Sequence, residues 1–202
     1  MPDREHQTYW GVFGGLFDPI HLGHLRLAQE IVIRASLEGV LFTLSAVPPH
    51  REAMAVVSFE HRLAMLMLAV EGYDQLAVSD IERRLSAPSY TLHTLQALKK
   101  RFPERNLCFI IGADNLRTFT TWHRWQEILE ISHLLVGVRP GVQVEVPDEL
   151  PPDRVQIFDT PPIDISSTIV RKKIIEGASA SELAELVPSR VVEYIMRHRL
   201  YL

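Results

Sequence analysis

The sequence predicts a doubly wound α/β fold with a mostly parallel sheet, a Rossmann-like plan, on three observations. Apolar runs of strand length alternate with segments of helical period along most of the chain. The first such run ends in Gly14-Gly15 and passes into a helix. The composition, 47% hydrophobic and 23% charged over 202 residues, is that of a globular protein with a sizeable core. Strands alternating with helices imply right-handed crossovers and helices on both faces of the sheet.

Residues 9–13 form the first strand, Gly14-Gly15 turns the chain, and the apolar positions of 20–37 follow a helical period. Residues 40–47 are a second strand, ended by Pro48-Pro49, and residues 59–70 are rich in strong helix formers. A short strand at 76–78, a helix at 91–101, a buried strand at 107–111 ending at Gly112, a helix at 122–130 and a strand at 134–138 follow. Pro140, Gly141, Pro147, Pro151 and Pro152 make 139–154 an irregular excursion before a strand at 155–158. Asp164-Ile165-Ser166-Ser167-Thr168 opens a helix that runs to Glu176, where Gly177 is a natural stop, and two short helices separated near Pro188 fill 181–202. We expect one domain spanning residues 1–202, with 165–202 as its helical C-terminal part.

The charge balance, 21 Lys+Arg against 25 Asp+Glu, excludes bulk electrostatic binding of nucleic acid, although a local pocket can still attract a small anion. The lone cysteine, Cys108, excludes an intramolecular disulfide framework and suits a buried strand. No apolar run is long enough to cross a bilayer and residues 1–6 lack a signal-peptide core, so a cytoplasmic protein without membrane attachment is expected.

In parallel α/β sheets ligands bind beyond the C-terminal ends of strands where strand order reverses, and the first strand commonly reaches that point. Gly14 and Gly15 let backbone approach a ligand, Asp18 can cap the coming helix, and Pro19 suits its first turn. His21 and His24, three apart, place two imidazoles on one face of the first turn, where free N–H groups and the helix dipole favour an anion. Surface histidines on an ordinary helix start, or two zinc ligands, remain alternatives, though His-Glu-x-x-His is absent. Neither a P-loop nor Gly-x-Gly-x-x-Gly is present. Ser166, Ser167 and Arg171 form a second anion site at a helix start, the alternative being an N-cap with a solvated arginine.

Together, Gly14-Gly15-Leu16-Phe17-Asp18-Pro19-Ile20-His21-Leu22-Gly23-His24 and Ile165-Ser166-Ser167-Thr168-Ile169-Val170-Arg171 resemble the two signature motifs of the nucleotidyltransferase superfamily. Pro48-Pro49-His50-Arg51, Pro88-Ser89-Tyr90-Thr91, Ile111-Gly112-Ala113-Asp114, Thr121-Trp122 and Arg139-Pro140-Gly141 look like the bacterial nicotinate-nucleotide adenylyltransferase family, in order and over nearly the whole chain.

The resemblance implies adenylyl transfer from ATP to nicotinate mononucleotide, giving nicotinate adenine dinucleotide and pyrophosphate, with magnesium. It implies His21, His24 and Arg171 as catalytic residues. Gly14, Gly15, Gly112, Asp114, Ser166 and Ser167 join them on ATP, with Ser167 and Arg171 on the β and γ phosphates. Phe17, Arg51, Tyr90, Thr91, Trp122, His123 and Arg139 would form the mononucleotide site, with Trp122 stacked on the pyridine and backbone donors at Thr91 and His123 on its carboxylate. The motifs alone leave Trp122 and Trp125 as a possible core stripe of one helix, Asp114 as a cap, and Arg51 and Arg139 as solvated loop charges. Leu16 departs from the family's usual hydroxyl residue and His123 from a frequent aromatic. Rivals are an adenylyltransferase for nicotinamide mononucleotide or another phosphorylated acceptor, and a nucleotide sensor without catalysis.

Overall fold

In the computed structural model, which describes residues 8–48, 55–138, 141, 144–160 and 164–202, six strands make one sheet in the order β3-β2-β1-β4-β5-β6 with every neighbouring pair parallel. The strands are β1 (Tyr9–Gly15), β2 (Gly39–Leu44), β3 (Leu76–Ser79), β4 (Asn106–Gly112), β5 (Ser132–Val138) and β6 (Val155–Asp159). The helices are α1 (Leu22–Arg34), α2 (Phe59–Val70), α3 (Thr91–Arg101), α4 (Ala113–Thr118), α5 (Trp125–Ile131), α6 (Ser167–Ile175), α7 (Ala180–Ala184) and α8 (Ser189–His198).

Side chains alternate across a strand, so a sheet covered on both faces needs apolar residues at odd and even positions alike. In β4, Leu107, Phe109 and Ile111 enter one core with Leu92, Leu95 and Leu98 of α3 and Ile128 of α5. Cys108 and Ile110 enter the other, with Leu25, Ala28 and Ile31 of α1, Met65 and Leu66 of α2, and Val191 and Ile195 of α8. The C-terminal helices therefore complete the core on the face covered by α1 and α2.

From β1 the chain crosses to β2 on one side and, after β3, returns to β4 on the other. Strand order thus reverses between β1 and β4, and the loops leaving Gly15 and Gly112 diverge there to open a crevice. Gly14 and Gly15 turn out to be the last residues of β1 rather than a turn; the left-handed residue in the loop that follows is Phe17, at φ 46°.

The helix predicted over 122–130 is shorter and starts later. Trp122 lies in extended backbone after a 3-10 turn (Phe119–Thr121), and Arg124, at φ 54°, breaks the path into α5. Trp122 and Trp125 consequently do not share a helical stripe. Two N-terminal assignments for α1 are also corrected. Its N-cap is His21, Pro19 precedes the helix, and the Asp18 carboxylate serves other donors.

Close packing around β1 gives a stability contrast. A Cβ on Gly11 would lie 2.7 Å from Ile110 Cδ1 and 2.9 Å from Val40 Cγ2, whereas a Cβ on Gly112 meets nothing within 4 Å. We expect Gly11→Ala to cost about 1–3 kcal/mol in urea unfolding and Gly112→Ala to be close to neutral. Equal costs at the two positions would contradict this account of the core.

Candidate active site

The loop of residues 16–21, between β1 and α1, carries almost no internal regular structure, so its shape depends on groups that reach it from elsewhere. Arg62 of α2, 2% exposed, donates through Nη1 to the carbonyls of Leu16 (2.9 Å) and Ser45 (2.8 Å), and through Nε to Val57 (3.3 Å). Arg171 Nη1 donates to the Asp18 carbonyl at 2.7 Å, and Ser167 Oγ donates to the Pro19 carbonyl at 2.9 Å. The buried Asp18 carboxylate accepts from Tyr201 Oη at 2.7 Å and from the Val56 N–H. Burial, and next the bond to Asp18, push the Tyr201 hydroxyl above its ordinary value and keep it protonated.

The two motifs predicted to act together therefore meet at Asp18-Pro19. The start of α6, capped by Ser166 Oγ accepting from the Ile169 N–H at 3.2 Å, sits against the segment leading into α1. The contacts also redefine two roles. The Ser167 hydroxyl has given its proton to Pro19, so what it still offers an anion is its backbone N–H at the helix opening. Arg171 spends donors on Asp18 and on Thr168 Oγ1 (3.2 Å), and its remaining N–H groups stay at the surface of the junction.

His21 and His24 stack with ring centroids 3.6 Å apart. The His21 backbone N–H donates to His24 Nδ1 at 3.3 Å, which assigns the His24 proton to Nε2. The His21 ring stands in loose capping geometry with the His24 backbone N–H, too poorly aligned to satisfy its Nδ1, which is buried without a hydrogen-bond partner among the described residues. An ordered water, or an anion that accepts from this nitrogen when it carries the ring's proton, is what such an atom takes up. Beneath them Phe17, 3% exposed, packs edge-on against His24 at 5.0 Å. The side chain of Phe17, a residue expected to bind substrate, is thus taken up in supporting the imidazole. A Cβ on Gly15 would come within 3.0 Å of that ring. Gly15 thus lets Phe17 sit where it supports His24.

Burial holds His21 down to about 4 and, with the charge His21 would carry as a second cause, holds His24 well below 6.5. Both rings are neutral near pH 7, so they act as N–H donors while Arg171 brings the permanent charge.

A cleft of about 590 Å³ opens beside this junction. Gly14, Gly15, Tyr90, Thr91, Trp122 and His123 of the expected site line it. Trp122 packs against Phe109 and Phe119 at 6.0 and 5.4 Å, and Tyr90 stacks on His123 at 4.3 Å. Thr91 opens α3 with no side-chain cap, leaving first-turn N–H groups for a ligand. On the floor, the Thr43 hydroxyl is buried and lacks a protein partner among the described residues.

His21, His24, Phe17, Gly112, Asp114, Ser166, Ser167 and Arg171 do not line this cleft. Gly112 caps α4 and Asp114 is exposed in its first turn, at the opposite lip of the switch point. Arg51 and Arg139 lie outside the described residues. Sequence reasoning missed Arg62, Tyr201 and Glu82. Arg62 had a signal: it falls with Met65, Leu66 and Ala69 on the buried stripe of α2, where a lone guanidinium needs a reason. Nothing in the sequence around Glu82 marks it.

A Rossmann-type switch point carrying a histidine pair, a helix-borne arginine and an adjoining aromatic cleft defines a nucleotidyltransferase. A family model described as cytidylyltransferase-like matches residues 12–173. Curated relatives carry the name "Probable nicotinate-nucleotide adenylyltransferase". One from Pseudoalteromonas atlantica is 35% identical, covering 95% of this chain and 94% of its own, and one from Carboxydothermus hydrogenoformans is 38% identical, covering 95% and 96%. A solved structure of Plasmodium falciparum nicotinic acid mononucleotide adenylyltransferase complexed with NaAD superposes with a TM-score of 0.77 at 16% identity, covering 96% and 98% of the two chains. The chain belongs to the cytidylyltransferase-like family and, within it, to the nicotinate-nucleotide adenylyltransferases.

The buried His21 imidazole couples the site to stability. Between pH 6.5 and about 4 the unfolded chain binds protons that native His21 refuses. The native state therefore loses stability as pH falls through that window, by up to about 3 kcal/mol, and the contribution is complete above it. We expect His21→Asn to flatten the decline of urea-unfolding free energy between pH 7 and pH 4.5; an unchanged decline would remove the basis for a buried neutral pair.

Proposed function

We propose that this chain transfers the adenylyl group of ATP to nicotinate mononucleotide, giving nicotinate adenine dinucleotide and pyrophosphate, a step of NAD biosynthesis. The observation that carries this reading is the junction at Asp18-Pro19, where a histidine-bearing helix opening and an arginine-bearing one are bonded together beside an aromatic cleft. ATP lies with its triphosphate over the two helix openings. The mononucleotide places its ring in the cleft against Trp122 and its carboxylate on the open N-terminus of α3 at Thr91, with Tyr90 and His123 forming the outer wall.

The 5′-phosphate oxygen of the mononucleotide attacks the α-phosphorus in line. A new P–O bond forms as the bond to the β-phosphate oxygen breaks, and pyrophosphate leaves. The attacking oxygen is already anionic, so no general base is needed and catalysis rests on positioning and charge. His24 Nε2–H donates to the oxygens of the α-phosphate, where charge builds, with His21 stacked on it to fix its plane. Arg171 and the first N–H groups of α6, including that of Ser167, hold the departing pyrophosphate, and Ser166 keeps that helix opening in register. Gly112 keeps the facing lip clear of side chain.

The donor set suits a metal that arrives on phosphate. No cluster of three or more carboxylate, His or Cys ligands occurs among the described residues, and the Asp18 carboxylate is already engaged, while Asp114 is one exposed carboxylate at the lip. Magnesium carried by ATP, with Asp114 at hand, would neutralise phosphate charge. Arg51 and Arg139 are assigned to the mononucleotide phosphate on the sequence motifs alone. A cytoplasmic setting suits these substrates and the single cysteine; no helix among the described residues is long and apolar enough to cross a membrane.

Nicotinate is preferred over nicotinamide because its carboxylate meets only N–H donors at α3, where an amide NH₂ would leave them unpaired. Pyrophosphate release with ATP and each mononucleotide tests the reading: we expect turnover with nicotinate mononucleotide and a much lower kcat/KM with the amide, and a preference for the amide would overturn it. His24→Ala should lower kcat by roughly 100-fold to 1,000-fold, as does loss of an oxyanion-hole donor. A variant turning over at the parental rate would refute the role of His24.

A further inference from the structure

Glu82 has no part in the chemistry above, yet it stands in the wall of the cleft. It belongs to a 3-10 turn (Ile81–Arg84) after β3 and is 7% exposed. Among the described residues lining the cleft it is the only Asp, Glu, Lys or Arg. Its carboxylate is fixed from both sides. Oε1 accepts from Thr94 Oγ1 at 2.8 Å and Oε2 accepts from the Ala46 N–H at 3.3 Å, with the Ser89 and Ser45 hydroxyls as further donors.

These partners supply hydrogen bonds but no countercharge. No ion pair of Glu82 occurs among the described residues, and Arg62, occupied by three carbonyls, acts on it only through space. A buried carboxylate without a paired cation is costly, and burial accordingly raises its pKa. Such a group in a ligand cleft is relieved by a ligand that carries positive charge.

The acceptor assigned to this cleft does carry one. The nitrogen of a pyridine nucleotide is quaternary through its glycosidic bond, so the ring is a pyridinium cation while its carboxylate is an anion. We propose that Glu82 is the countercharge for that ring and selects an acceptor whose aromatic ring is cationic. The proposal rests on the mononucleotide reading of the cleft. It explains why one wall carries a fixed carboxylate while the start of α3, built from uncapped N–H groups, offers the opposite polarity. The cleft is arranged for a zwitterion, with the Trp122 face adding a second attraction for the cation.

The test compares nicotinate mononucleotide with 3-carboxyphenyl C-riboside 5′-phosphate, which has the same outline and a neutral ring, by calorimetry on the full chain. The wild type should bind the pyridinium about tenfold more tightly, and Glu82→Gln should bring the ratio close to one by weakening the pyridinium alone. In turnover the loss should appear in KM for the mononucleotide, with KM for ATP unchanged. Equal binding of both probes by the wild type, equal weakening of both by Glu82→Gln, or an unaltered ratio each overturns the proposal, equal weakening being the mark of a merely structural strut. Should Glu82→Gln not fold, Glu82→Asp draws the charge back from the ring and should give an intermediate ratio; a wild-type ratio there has the same adverse meaning. Absence of pyrophosphate release by the wild type with nicotinate mononucleotide would instead defeat the assigned reaction, so the two failures are distinguishable.

Discussion

The site depends on a short irregular loop being held by buried and half-buried polar groups from three distant parts of the chain. Arg62 takes the Leu16 carbonyl, Arg171 and Ser167 take those of Asp18 and Pro19, and Tyr201 takes the Asp18 side chain. A loop at the end of a parallel strand cannot satisfy its own carbonyls, and inside a protein each unsatisfied one costs about 1–3 kcal/mol. Supplying donors from α2, α6 and the segment after α8 both satisfies these groups and sets where His21 and His24 stand. Stability and function therefore draw on the same contacts here.

This arrangement changes the chemical character of the phosphate site. Histidines beside a triphosphate invite a picture of imidazolium cations, but burial, and for His24 the charge His21 would carry, keep the pair neutral. The permanent charge lies on Arg171, reached through a different helix, and the imidazoles contribute directed N–H groups, the tautomer of His24 being set by the loop's own backbone. Direction comes from one motif and charge from the other, which is why they must be bonded together.

Most of the framework was legible because parallel strands and their helices announce themselves by period. The bounds of α2 and α3 agree with the sequence reading to the residue, and the strands agree within a few residues. The segment between β4 and α5 was not legible. Residues 113–121 fold as a short helix and a 3-10 turn, too brief for a periodic signal, and the left-handed Arg124 carries none of the glycine that would mark it. In the site, the residues of the two motifs could be named from their spacing, whereas the bonds of Ser167 and the burial of Phe17 could not. Their roles are set by partners about 150 residues away in one case and by a packed ring in the other. Arg62 was readable in principle as a charge on an apolar stripe, while Glu82 owes its position wholly to tertiary structure.

The bond between Tyr201 and Asp18 spans 183 positions. Translation delivers Asp18 183 residues before Tyr201, so the emerging polypeptide carries this loop for that interval without the hydroxyl that fastens it. Until that tyrosine leaves the ribosomal tunnel the buried carboxylate lacks one of its two donors. The architecture thus gives the growing chain an interval in which the loop has been made but is not yet fastened at Asp18.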